Sequence, residues 1–115
     1  MKKIEAIIRS SRFDEVKEAL SEKGINFFTF MEVKGYGHQE GETHTYRGAV
    51  YDVGYIARMK LEIMVSDSFV QLAIDAILAS AKTGEVGDGK ISVISLDEII
   101  QIRTGLRNES AINTK

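Results

Sequence analysis

Apolar and polar residues alternate from Lys3 to Arg9, with Ile4, Ala6 and Ile8 on one side and Lys3, Glu5 and Arg9 on the other. A period of two marks a strand with one buried face. Ser11 and Asp14 then have the spacing of a capping box, and Phe13, Val16 and Leu20 recur at helical intervals. This predicts a helix over about residues 12–23, ended by a left-handed cap at Gly24. Residues 26–34, NFFTFMEVK, are aromatic and apolar and predict a second strand. From Gly35 to about Ala57 the periodicity is lost, and Gly35, Gly37, Gly41, Gly48 and Gly54 stand among polar residues. Alternation returns over Met59–Val65 as a third strand. Asp67 is the expected N-cap of a second helix whose buried stripe is Val70, Ile74, Ile77, Leu78 and Ala81, closed by Gly84. A turn, Gly84-Glu85-Val86-Gly87-Asp88-Gly89, leads through Lys90 into a fourth strand over Ile91–Leu96. Asp97–Arg103 adds a short extended segment, and a polar tail follows Thr104.

The order β-α-β, long loop, β-α-β predicts an α+β domain of ferredoxin-like βαββαβ form, an antiparallel sheet with both helices on one face. The other face carries Ile7, Thr29, Met31, Glu62, Met64 and Ile94. That set is too apolar to leave in water, so the face is expected to pack on another subunit.

Composition narrows the function classes. At 115 residues the chain has the size of one domain, 1–115, and its 43% hydrophobic and 28% charged residues are ordinary for a globular protein. Fifteen Lys and Arg against seventeen Asp and Glu give a net charge of −2. The basic surplus of an electrostatic nucleic-acid binder is missing, so no nucleic-acid partner is expected. The lack of cysteine excludes disulfides, thiolate metal sites and cysteine nucleophiles, and fits a reducing cytoplasm. No apolar run reaches the roughly 18 residues of a membrane span, so no direct membrane insertion is expected.

Four features carry candidate chemistry. The 84–90 stretch satisfies G-x-x-x-x-G-K, but Ile91 stands where a nucleotide-binding P-loop needs Ser or Thr. The turn also follows a helix and precedes a strand, the reverse of that motif, so a P-loop NTPase is rejected. What remains is a turn whose backbone N–H groups can converge on an anion, with Lys90 beside it. The second feature is the long loop, whose tip Tyr46-Arg47-Gly48-Ala49-Val50-Tyr51 suits docking to a partner. Within it, His38-Gln39-Glu40-Gly41-Glu42-Thr43-His44 has the residue types of a divalent-metal site. Nothing in the sequence fixes those ligands, and a solvated loop is the favoured reading. Finally, Arg58, Lys60, Arg103 and Arg107 are cations able to meet phosphate or carboxylate.

These pieces together resemble the PII nitrogen-regulatory signal-transduction proteins over about residues 1–112, without a gap. The resemblance rests on Met1-Lys2-Lys3-Ile4-Glu5-Ala6-Ile7-Ile8, on Glu32-Val33-Lys34-Gly35-Tyr36-Gly37-His38-Gln39, and on Tyr46-Arg47-Gly48-Ala49 with Tyr51. Thr83-Gly84, Gly87-Asp88-Gly89-Lys90-Ile91 and Ile102-Arg103-Thr104-Gly105 complete it. It implies a homotrimer with a flexible T-loop, here about 37–55, a glycine-rich turn at 83–90 and a C-terminal segment at 101–115. ATP or ADP would bind between subunits. The resemblance places Gly87, Asp88, Gly89 and Lys90 on the phosphates, with Arg103 reaching over from the next subunit. Ile7, Thr29, Gly35, Gly37, His38, Glu62 and Met64 fall at the nucleoside and the base of the loop. Gln39 would ligate a magnesium ion bridging ATP and 2-oxoglutarate, and Arg58 falls at the 2-oxoglutarate carboxylate. Arg47 and Tyr51 match the partner-contacting and modified positions of the loop. No haem, flavin or zinc is implied. The partner would be an ammonium transporter or a nitrogen-assimilation enzyme, met in the cytoplasm or at the membrane through the transporter.

The chain departs from the family pattern at several of these positions. Arg58 replaces a lysine, Ala57 a proline, Glu85 a basic residue, Gln101 an arginine, His38 a common arginine, and Val50 an acidic residue beside Tyr51. Fewer cations around a polyphosphate predict weaker ATP binding relative to ADP or AMP. They also leave room for a divergent sensor of another small anion, such as bicarbonate. Rival readings are a small phosphoryl-transfer or acylphosphatase-like enzyme, with Asp88 its candidate group, and a structural or metal-binding trimer using His38 and His44.

Overall fold

The computed structural model describes residues 1–36, 43–46, 49–52 and 55–112. The elements are β1 (Lys2–Arg9), a 3-10 turn (Ser10–Arg12), α1 (Phe13–Glu22), β2 (Thr29–Tyr36), β3 (Thr43–Tyr46), β4 (Ala49–Asp52), β5 (Tyr55–Val65), α2 (Asp67–Ala81), β6 (Lys90–Ser95) and α3 (Glu109–Ile112). β2, β5, β1 and β6 form one sheet in that order, and every neighbouring pair is antiparallel. β3 and β4 form a separate two-stranded ribbon. The main sheet with α1 and α2 is the ferredoxin-like βαββαβ arrangement. Among the described residues, no helix is long and apolar enough to cross a membrane.

The period-two pattern of β1 works as expected: Ile4, Ala6 and Ile8 are buried and Ile7 is exposed. They meet Leu61 and Ile63 of β5, Val16 and Leu20 of α1, and Ala73, Ala76, Ile77 and Ala81 of α2 in one core. Both helices therefore cover the same face. The opposite face leaves Ile7, Met31, Met64 and Ile94 about 40–50% exposed, as the alternation predicts.

Several local expectations are corrected. The second strand starts at Thr29, not residue 26, because Phe28 turns inward onto Phe13 (ring centroids 6.3 Å apart) while Phe27 is exposed. It runs on to Tyr36, and its partner β5 starts at Tyr55, so the sheet extends further toward the loop than the apolar pattern indicates. The stretch between is not without pairing: Thr43–Tyr46 ladders with Ala49–Asp52. These segments are rich in Thr, Tyr and Val, which suit strands.

The buried stripe of α2 is rotated from the expected one. Leu78 is about half exposed, while the small Ala73 and Ala76 face inward and let the helix approach the sheet. α2 ends at Ala81, so Gly84 belongs to the turn rather than to a helix cap. Ser11 and Asp67 do not cap helices. A 3-10 turn precedes α1, and Asp67 is the first helical residue of α2, bonded to the N-terminal ammonium at 2.8 Å. Gly24 does take the left-handed conformation, with φ +82°. Beyond β6 the chain folds back through an Ile100–Arg107 bridge, and a short α3 stands where a polar tail was expected.

Candidate functional site

The glycine turn closes the 15-residue α2 onto β6 at the sheet edge. Gly84, Gly87 and Gly89 have φ of +89°, +101° and +102°, conformations that side chains rarely adopt. Gly89 also lies against β1, where a Cβ would come within 1.7 Å of the Ile7 carbonyl oxygen. Glycine is therefore required twice over at that position.

Asp88 organises the turn. Its carboxylate accepts from the backbone N–H of Thr83 and of Gly84, each at 2.9 Å, from the Thr83 hydroxyl, and from Arg9 Nε at 3.0 Å. The Thr83 hydroxyl contributes most to holding the Asp88 carboxyl well below the ordinary value of 3.8, with the backbone donors and Arg9 adding to it. A carboxylate saturated in this way is a structural anchor of the turn. A lowered value means the anchor's contribution is full above pH 3.8, shrinks below it, and is gone once the pH has fallen through the lowered value. An NMR titration should therefore find Asp88 ionised well below pH 3.8. Thr83→Val should move its midpoint back toward that value, and an unchanged midpoint would show that the hydroxyl is not the main cause.

Arg9, which lies outside the sequence-derived set, and Thr83, which the sequence places in the turn without a role, complete it. Arg9 Nη2 donates to the Val86 carbonyl at 2.8 Å, in addition to its bond with Asp88. Thr83 Oγ1 accepts from the Glu85 N–H at 3.1 Å. The sequence marks Arg9 only as an outward residue of β1, and its partners lie nearly eighty positions away, beyond the reach of any local pattern. Arg58 is buried, and its Nη1 donates to the Gly87 carbonyl.

Strand register places the remaining candidates. Met31, Lys60, Ile7 and Lys90 form one cross-strand row on the helix-free face. Thr29, Glu62, Glu5 and Ser92 form the next, and Met64, Lys3 and Ile94 the one after. Ile7, Thr29, Glu62, Met64 and Lys90 thus share one face, but one chain does not gather them. Thr29 stands on the β2 edge and the turn on the β6 edge, three strand spacings apart, roughly 14 Å. Gly35 lies at the loop end of β2, opposite Ile56. Arg103 is exposed beyond β6, and makes no hydrogen bond or ion pair with the turn among the described residues. Gly37, His38, Gln39 and Arg47 lie outside the described residues. Tyr51 is on β4, in register with His44. Among the described residues no group of three or more His, Cys, Asp or Glu could hold a metal ion.

On the helix side, a groove of about 380 Å³ runs between α2 and β6. Ile74, Leu78 and Val93 line it, and Asp88 and Gly89 border one end.

Comparison with known proteins places this arrangement. The family model described as nitrogen regulatory protein P-II matches residues 1–106. The chain is 50% identical over 112 residues to the nitrogen regulatory protein P-II of Pasteurella multocida (strain Pm70), covering 97% of this chain and all of that one. Over the same span it is 51% identical to that of Azospirillum brasilense and 48% to that of Nostoc punctiforme, again covering 97% of this chain and the whole of each relative. With a family match over residues 1–106 and about half of its residues identical to relatives that it covers in full, this chain belongs to the nitrogen regulatory protein P-II family of signal-transduction regulators.

Proposed function

We propose that this protein senses adenine nucleotide in clefts shared between subunits of a homotrimer, and signals through the 37–55 loop. The observation that carries the proposal is the turn at 83–90. Asp88 and Thr83 take the N–H groups of Thr83, Gly84 and Glu85, so the positive-φ bends at Gly87 and Gly89 are what would present N–H groups to an anion, and Lys90 adds a cation on the same sheet face as Ile7. The division of the candidate set between the two sheet edges supports a shared cleft, since edge β6 of one copy and edge β2 of the next would bring the halves together. The apolar Ile7, Met31, Met64 and Ile94 on the helix-free face favour burial between copies. ATP or ADP would occupy the cleft, with Arg103 supplied by the neighbour. Magnesium and 2-oxoglutarate would join through Gln39 and the region of Arg58.

No step of this requires turnover. A ligand that contacts the loop base better in one conformation shifts the loop's population, and a partner protein reads the result. By chemistry and family, that partner is a transporter or enzyme of nitrogen assimilation, reached in the cytoplasm. Calorimetry with ATP, ADP and AMP, each with and without magnesium and 2-oxoglutarate, tests the reading. It should give saturable binding of about one nucleotide per chain with negligible hydrolysis. ADP or AMP should bind at least as tightly as ATP, given Glu85 and Gln101 near the phosphates. Absence of binding by every nucleotide would overturn the proposal, and a marked ATP preference would overturn its charge argument.

A further inference from the structure

Arg58 is the one buried charged side chain among the described residues, 7% exposed. Burying a guanidinium is costly unless a defined partner receives it, and here the Gly87 carbonyl does. Arg58 is in register with Arg9 on the adjacent strand. Two like charges placed side by side are held by one short segment: Arg9 takes the Val86 carbonyl and the Asp88 carboxylate, and Arg58 takes the Gly87 carbonyl between them. Three consecutive residues of the turn are therefore gripped from the sheet.

The geometry of the peptide unit gives this grip a consequence. In a trans peptide the C=O and the following N–H point to opposite sides. With the Val86 and Gly87 carbonyls drawn onto the two guanidiniums, the N–H groups of Gly87 and Asp88 are turned outward, away from the arginines. We infer that Arg58, with Arg9, is a positioning residue that aims the turn's N–H groups at an incoming anion, and that it does so from the strand that leaves the signalling loop. β5 begins at Tyr55, whose pairing with Tyr36 closes the sheet at the loop end, and Arg58 is three residues further on. A phosphate settling on the turn tightens the Gly87 peptide, and Arg58 carries that change to the loop base. A lysine at this position offers a single compact ammonium in place of a planar fork, so the grip belongs to the arginine of this chain.

The inference rests on the proposed anion role of the turn, but its first test needs no ligand. Hydrogen exchange on the ligand-free protein, read in peptides spanning 83–89 and 55–58, compares wild type with Arg58→Lys and Arg58→Gln. Loss of one charge-assisted hydrogen bond should speed exchange across 83–89 roughly tenfold in Arg58→Gln, with Arg58→Lys restoring part of the protection. Added ADP should slow both segments in wild type, and only 83–89 in Arg58→Gln. A purely structural arginine would not uncouple the two segments. Unchanged exchange at 83–89 in both variants, or full ADP protection of 55–58 in Arg58→Gln, would overturn the inference. If Arg58→Gln does not fold, Arg58→Lys carries the same comparison. If wild type ignores ADP, the nucleotide reading fails, while the ligand-free comparison still decides whether Arg58 holds the turn.

Discussion

Replacing Gly89 with alanine is expected to destabilise the protein by about 2–5 kcal/mol and to lower its melting temperature by roughly 10–25 °C. Two costs combine. At φ +102° an alanine pays the penalty of a conformation that Cβ disfavours, of the order of 1–2 kcal/mol. The added Cβ would also meet the Ile7 carbonyl oxygen at 1.7 Å and its carbon at 2.8 Å, both backbone atoms of a central strand. Neither can swing aside as a side-chain tip would, so β6 must separate from β1 or the turn must be rebuilt. Gly84→Ala is the control. Its φ is +89°, but no atom lies within 4 Å of the added methyl, so only the conformational cost of roughly 1–2 kcal/mol applies. Thermal unfolding of the two variants should differ clearly, and equal melting temperatures would mean that the close approach of turn and strand is not maintained in solution.

The second large effect is expected from Asp88→Ala. One carboxylate receives the Thr83 N–H, the Thr83 hydroxyl, the Gly84 N–H and Arg9. Alanine leaves all four donors without that acceptor and returns Arg9 to its Val86 bond alone. The turn loses the hub around which its glycines are arranged, so under the proposed nucleotide role of the turn, adenine-nucleotide affinity should fall by at least about tenfold in calorimetry. Asp88→Asn separates shape from charge. The amide keeps one acceptor oxygen but presents a donor where Arg9 stands, and its affinity should lie between those of alanine and wild type. A wild-type affinity for Asp88→Ala would show that the turn does not hold the nucleotide.

The readings that succeeded at the level of sequence are those decided by local periodicity. Ile4, Ala6 and Ile8 mark the buried face of β1 because a half-buried strand has no other way to satisfy water on one side and packing on the other. The order of elements, the glycine turn and the helix-free apolar face follow from the same kind of pattern. Readings failed where a distant partner decided the outcome. Phe27 and Phe28 look equally strand-like, yet Phe13 draws one of them inward before the sheet begins. Leu78 is a better core residue than Ala76 by hydrophobicity, but the close approach of α2 to the sheet favours the smaller side chain. The bond from Arg58 to the Gly87 carbonyl is not legible in the sequence, because its partner lies 29 positions away. Arg9 could not be singled out at all, because its task is set by a turn at the other end of the chain.

The placement of the turn and Thr29 on opposite margins of the sheet has a genetic consequence if the cleft is shared as proposed. A chain defective at one margin spoils a single cleft in a mixed trimer and lends its sound margin to a neighbour. A chain defective at both spoils two. Lesions at the two margins would then complement each other when co-expressed, while a doubly damaged allele would poison the product of a healthy one.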